Sequence, residues 1–188
     1  MKLLELVDLA YQNANEVEFG NSPAWDTETF TSNWFSTRNS IQPSAPGLYW
    51  FISDAVLNNL VRPAGLPLKG CDFTHTSNLL MTHFGEDLIT RMDNSNLKVV
   101  YNGHEKNVMG RVRSHFALNN PLTGALGLNY YSLSQYNWRL LYFTTRDLER
   151  IPEGSRQGLT NLLNFRTGRI ALENAWRIKH GWPPLCKA

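Results

Sequence analysis

The sequence predicts a small mixed α/β (α+β) domain: a three-stranded antiparallel sheet flanked by helices, preceded by a helix and an arm and carrying a large insertion between the first two strands. Three short runs rich in aromatic and β-branched residues, GLYWFIS at 47–53, LKVVY at 97–101 and WRLLYFTT at 138–145, read as strands. Around them apolar residues recur at helical spacing, in the order strand, insertion, strand, helix, strand, helix. At 188 residues, 42% hydrophobic and with six tryptophans, the chain has enough apolar mass for one domain with embellishments.

Residues 2–15 place Leu3, Leu6, Val7 and Ala10 on one face, with Glu5 and Asp8 interrupting the apolar run. That pattern is an amphipathic helix and lacks the continuous apolar stretch of a signal peptide. Residues 20–46 are rich in Asn, Ser, Thr and Pro yet carry Trp25, Phe30, Trp34 and Phe35, so they read as a packed arm. The chain therefore divides into a helix and arm (1–46) and a second part (47–188), expected to form one compact unit. Pro43 and Pro46 bracket the entry to the first strand, Leu48–Ser53.

The insertion, 53–96, holds two stretches of helical periodicity, DAVLNNLVRPAG and LLMTHFGEDLITRM, around a Pro/Gly-rich middle. The second strand delivers Tyr101, a glycine turn is expected at Asn102-Gly103, and a helix begins near Asn107. Residues 118–137 form a long polar loop with three tyrosines before the third strand, Trp138–Thr145. Residues 155–180 are mostly helical with a break at Gly168, and Pro183-Pro184 ends the last helix.

No run of eighteen apolar residues exists to cross a membrane. Two distant cysteines, Cys71 and Cys186, imply no disulfide framework, so a reducing, cytoplasmic setting is expected. The net charge of +2 is small for a nucleic-acid binder, but twelve of the eighteen cations are arginines. Arginine is the better residue for bidentate contacts to phosphates and guanine edges.

The chemistry concentrates in YNGHEKNVMGRVRSHF, 101–116. Arg111 and His115 stand four apart, so a helix projects both from one face. A tyrosine, an arginine and a histidine meeting at a strand-to-helix junction can bind and hydrolyse a phosphodiester. Upstream lies Tyr49 in Gly47-Leu48-Tyr49, and downstream Glu173 in ENAWRIKH. Together these residues resemble the GIY-YIG nuclease superfamily, with Gly47-Leu48-Tyr49 and Tyr101-Asn102-Gly103 in the two name-giving motifs.

The resemblance implies a nuclease fold and assigns Tyr49, Tyr101, Arg111, His115 and Glu173 to catalysis. Glu173 would hold one Mg²⁺ (or Mn²⁺), which typically uses one or two protein carboxylates plus waters and substrate phosphate. Arg111 suits the charge growing on the phosphoryl group. Tyr49 would act as general base with His115 taking on its proton, giving a pH–rate limb at about 6–7, near the imidazole value. Tyr101 would orient water or phosphate, and His104, just past Gly103, is placed to touch substrate. Each residue also has a plain structural role available. Tyr49 could be a core aromatic, and Glu173 sits four residues from both Arg169 and Arg177, the spacing of a helix ion pair. Cys71, His75 and His83 lack a fourth ligand and standard spacing, and are taken as structural. In the superfamily an asparagine follows the metal-binding helix. Here GWPPLCKA has Cys186 near that place, with Asn174 the nearest substitute.

The expected function is site-specific cleavage of double-stranded DNA, most like a type II restriction endonuclease, since no appended DNA-binding module is visible beyond the Glu173 helix. A palindromic target would favour a homodimer, and a restriction role implies a cognate DNA methyltransferase in the same system. Target reading is expected from the insertion and the 118–137 loop, through Asn58, Asn59, Arg62, Asn119, Asn120 and Gln135, with Lys106 and Arg113 on the phosphate backbone. The alternatives are a structure-specific or mobile-element nuclease, and a non-catalytic DNA-binding module on the same scaffold.

Overall fold

The computed structural model describes residues 2–18, 45–85, 96–118, 124–133 and 135–186. Its elements run α1 (Leu3–Gln12), β1 (Asn15–Glu18), β2 (Gly47–Ser53), α2 (Phe73–Phe84), β3 (Lys98–Glu105), α3 (Val108–Ala117), β4 (Trp138–Thr144), α4 (Glu153–Asn164) and α5 (Arg166–His180). The described strands form one antiparallel sheet in the order β1-β4-β2-β3.

The α+β class is as expected, but the sheet has four strands where three were predicted. The extra strand, β1, is the four-residue NEVE, in which only Val17 is buried. One apolar residue between carboxylates carries no readable period of two. The strand exists because β4 offers it an edge, and Arg139 then bridges Glu16 (3.0 Å) and Glu18 (3.6 Å) across the pair. Helix α1 ends correspondingly at Gln12, short of the predicted residue 15.

β2 is central and buried along its whole length, so successive side chains feed opposite faces. Leu48, Trp50 and Ile52 enter a core with α1, α4 and α5. Tyr49 and Phe51 enter the other core, with α3, the insertion and the loop after α3. β3 is the outer strand on the side of the site, and the C-terminal segment covers its edge, Leu185 N–H donating to Val100 O at 2.9 Å.

Two further expectations are corrected. Asn102-Gly103 is no turn: β3 runs through it to Glu105, pairing Asn102 with Trp50 and Gly103 with Tyr49. The helical region near the C-terminus breaks at Phe165, between α4 and α5, and Gly168 lies inside α5. Gly168 is there for contact, since a Cβ on it would stand 2.3 Å from the Leu162 carbonyl oxygen.

In the insertion, DAVLNNLVRPAG yields one 3-10 turn, Leu57–Asn59, because Pro63 and Gly65 stop propagation. The insertion's helix, α2, starts earlier than the second periodic stretch because Asp72 caps it, accepting from His75 N–H at 3.0 Å. Residues 86–92 of that stretch lie outside the described residues, as do the arm aromatics Trp25, Phe30, Trp34 and Phe35. The insertion is fastened to the loop after α3: Phe73 stacks on Tyr131 at 4.1 Å, and Tyr131 Oη donates to Cys71 O at 2.6 Å. Among the described residues no helix is long and apolar enough to cross a membrane.

Candidate active site at the edge of β3

Strand pairing puts Tyr49 directly across from Gly103, with Tyr101 two residues away on the same face. The glycine is a steric requirement, because a Cβ there would sit 2.5 Å from the Tyr49 hydroxyl. The Tyr49 ring therefore lies over the Gly103 backbone, its centroid 6.1 Å from that of Tyr101.

Helix α3 packs on this face, started by Asn107, whose side chain accepts from Gly110 N–H at 2.8 Å. Its inner stripe, Val108, Val112 and Phe116, fixes the roll of the helix, and His115 turns inward with it. Tyr49 and His115 are each 1% exposed, and the Tyr49 hydroxyl lies 2.9 Å from His115 Nε2. His115 Nδ1 accepts the Leu126 backbone N–H at 3.2 Å. Burial, with help from the charge of Arg111, holds His115 well below the usual imidazole range, so it is neutral. With Nδ1 accepting, a neutral imidazole carries its proton on Nε2 and donates it to Tyr49. His115 is thus the donor in this pair, and the expected transfer of the Tyr49 proton to it has no free acceptor nitrogen.

Burial pushes both phenols above the usual tyrosine value, while the guanidinium of Arg111 beside them pulls each back down. Arg111 is held at the rim by Gly124 O, 2.5 Å from Nη2. Glu173 reaches the same place from α5, around the edge of β3. Tyr101, Arg111, His115 and Glu173 all line one cleft of about 770 Å³, with Arg177 and Cys186 at its base. Burial raises the Glu173 carboxyl, and Arg177 opposes that shift.

The helix ion pair foreseen for Glu173 is present and goes to Arg177, which donates to Oε1. It is no loose surface pair. Arg177 Nε donates to Asn102 Oδ1 at 2.8 Å, and its guanidinium lies 4.8 Å from the Trp182 ring centroid. Cys186 Sγ accepts from Asn102 N–H at 3.3 Å, and burial pushes this thiol up to about 12. Sequence reasoning missed Asn102 and named Arg177 only as a possible ion-pair partner of Glu173. The signal available was Asn102 itself, a polar residue inside an apolar strand, where a buried amide needs partners. Asn174, the substitute considered for the absent asparagine, is exposed; the buried asparagine beside Glu173 is Asn102.

The proposed DNA-reading residues are more scattered. Arg62 lines the cleft from the insertion, but its guanidinium donates to Leu66 O (3.1 Å) and Pro67 O (3.0 Å). Asn58 and Asn59 are exposed, and Asn58 borders a shallow groove along α2. Lys106 is exposed at the turn into α3, Arg113 is half-buried on α3, and Gln135 is exposed ahead of β4. Asn119 and Asn120 lie outside the described residues. Cys71 and His75 sit on the cleft wall, and no group of three or more His, Cys, Asp or Glu among the described residues is arranged around a metal. A single carboxylate still fits Mg²⁺, which keeps several waters and takes further oxygens from phosphate. Glu173 has that chemistry, with Oε2 outside the Arg177 contact. No family model, curated protein or solved structure matches this chain.

Proposed function

We propose that this protein is a divalent-cation-dependent endodeoxyribonuclease of GIY-YIG type, acting as a type II restriction enzyme on double-stranded DNA. One observation carries the reading: Tyr101, Arg111, His115 and Glu173, from separate motifs, line one cleft at a sheet edge, with Tyr49 buried behind them and in contact with His115. Chance surface residues do not share a cleft, a buried hydrogen bond and shifted phenols.

In this reading Tyr49 acts from its phenolate form, its proton first lost to solvent and the anion favoured by the Nε2–H of His115 and the charge of Arg111. The phenolate oxygen then takes a proton from water. The water oxygen attacks phosphorus, the P–O bond to the leaving oxygen breaks, and Arg111 stabilises the charge spreading over the phosphoryl group. Tyr101, lining the cleft, orients the water or the phosphate. Glu173 would hold Mg²⁺ or Mn²⁺, which when bound neutralises phosphoryl charge and assists the leaving oxygen. A homodimer on a palindrome, a partner methyltransferase and a cytoplasmic setting belong to the same proposal.

The test is digestion of a plasmid of known sequence with Mg²⁺ or Mn²⁺, with the ends mapped and Glu173→Gln as control. Discrete fragments with a shared end sequence, lost in the control, support the restriction reading. Cutting without a shared sequence leaves a structure-specific nuclease. The engagement of Glu173 by Arg177 favours one further reading, a DNA-binding module without catalysis. Binding with no cleavage under either cation would establish it.

A further inference from the structure

The two oxygens of Glu173 have different surroundings. Oε1 receives Arg177, which is itself anchored on Asn102 and Trp182. Oε2 faces His104 Nε2 at 3.6 Å. That separation is too long for a hydrogen bond. The pair is nonetheless well buried, with side-chain exposures of 17% for His104 and 14% for Glu173. The other ring nitrogen, Nδ1, is buried with no partner among the described residues. A glutamate oxygen and an imidazole nitrogen thus face each other without a hydrogen bond between them.

We infer that His104 is a second protein donor, through Nε2, to the divalent cation held by Glu173. The inference rests on the nuclease reading only in taking Glu173 as a cation ligand. Bonds of about 2.0–2.2 Å to one ion leave two donor atoms about 3.0–3.6 Å apart, according to the angle between them. The observed gap is at the upper end of that span, and a small rotation of either side chain closes it. The placement follows from β3. Three residues past Tyr101, the alternation of the strand turns His104 to the face that α5 covers, opposite the phenols.

The donor set determines the metal class. Imidazole adds little for Mg²⁺, which prefers oxygen, whereas it strengthens binding of first-row transition cations. The site should therefore bind Ni²⁺ more tightly than Mn²⁺, and Mn²⁺ more tightly than Mg²⁺.

Isothermal titration of the full chain with each of these three cations, without DNA, tests this. His104→Ala should weaken Ni²⁺ binding tenfold or more, with Mg²⁺ changed less than twofold. Glu173→Gln should weaken binding of all three. The double variant should lose no more Ni²⁺ affinity than the larger single loss plus a small remainder, since both residues serve one ion. His104→Gln is the second variant should alanine fail to fold. Equal Ni²⁺ affinity in wild type and both folded His104 variants overturns the inference, as does additive loss in the double variant. Cation binding with the expected pattern but no DNA cleavage would instead sink the nuclease reading while leaving the site in place.

Discussion

The two faces of the sheet share their strands and differ in almost everything else. On β2, Tyr49 and Trp50 are adjacent aromatics, each 1% exposed. Trp50 packs among Tyr11 and Trp176 in a core with no chemistry, ring centroids 5.0 and 6.2 Å away. Tyr49 meets His115, Tyr101 and the charge of Arg111. Burial alone does not separate the two roles. What separates them is the partner set: one side chain touches carbon, the other touches groups that can move or stabilise a proton.

The sharpest way to break that comparison is to remove one group that lines the cleft and one that lies in the dry core. Glu173→Gln should reduce cleavage by a factor of about 10³ or more, with the melting temperature within a few degrees of wild type. Trp50→Ala should do the reverse, costing about 3–5 kcal/mol of stability. Cleavage per folded molecule should then stay near normal, measured below the variant's melting temperature. A Glu173→Gln protein that cleaves at the wild-type rate would reduce Glu173 to the partner of Arg177.

On the polar face itself the two phenols are not equivalent. Tyr49 holds the hydrogen bond from His115, so Tyr49→Phe should cost about 10²–10⁴ in rate and Tyr101→Phe less. Both phenols lie above the usual tyrosine value and His115 lies well below the imidazole range. The log of the wild-type rate should therefore climb with pH, at a slope near one, without levelling at about 6–7. A plateau there would restore the proton transfer to His115 that the Leu126 contact argues against. Greater damage from Tyr101→Phe would exchange the roles of the two tyrosines.

Much of the site was legible because its residues are rare types in fixed order: Arg111 and His115 at helical spacing, Tyr101 and Gly103 on a strand. The rest was hidden for physical reasons. Asn102 acts through Arg177 and Cys186, partners 75 and 84 residues away in sequence, so no local pattern announces it. Strand β1 needed an edge supplied by residues 139–142. The turn expected at Asn102-Gly103 misjudged the glycine, whose missing side chain makes room for a ring from the next strand.

Asn102 stands on the α5 side of β3, paired with Trp50, and gives a smaller effect. Asn102→Ala removes the acceptor for Arg177 Nε and should cost about 1–2 kcal/mol in stability, the loss of a charge-assisted hydrogen bond. It should also blunt catalysis moderately, because Arg177 no longer holds Glu173 in one orientation. Arg177→Lys should rescue little, since an ammonium cannot reach Asn102 and Glu173 with one planar fork. Unchanged melting and unchanged rate in Asn102→Ala would make the amide a bystander.

The smallest expected effect is on acid stability, and it again distinguishes the faces. His115 is neutral and buried when folded, with its pKa held well below the value of about 6.5 that the unfolded chain shows. The unfolded state therefore binds the extra proton first as pH falls. The stabilising contribution is complete above pH of about 6.5 and is lost progressively below it. Glu173, raised by burial, works in the opposite sense: its contribution is present below the unfolded carboxyl value and fades as pH rises past it. The two act in opposite senses, so His115 should pull the melting temperature down from pH 7 to pH 5 while Glu173 offsets part of that decline. His115→Gln should flatten that decline, whereas a variant of the dry face such as Trp50→Phe should lower the whole curve without changing its slope. A His115→Gln curve parallel to wild type would mean that His115 takes up its proton without disturbing the fold, and that the buried contact with Tyr49 opens more readily than its geometry suggests.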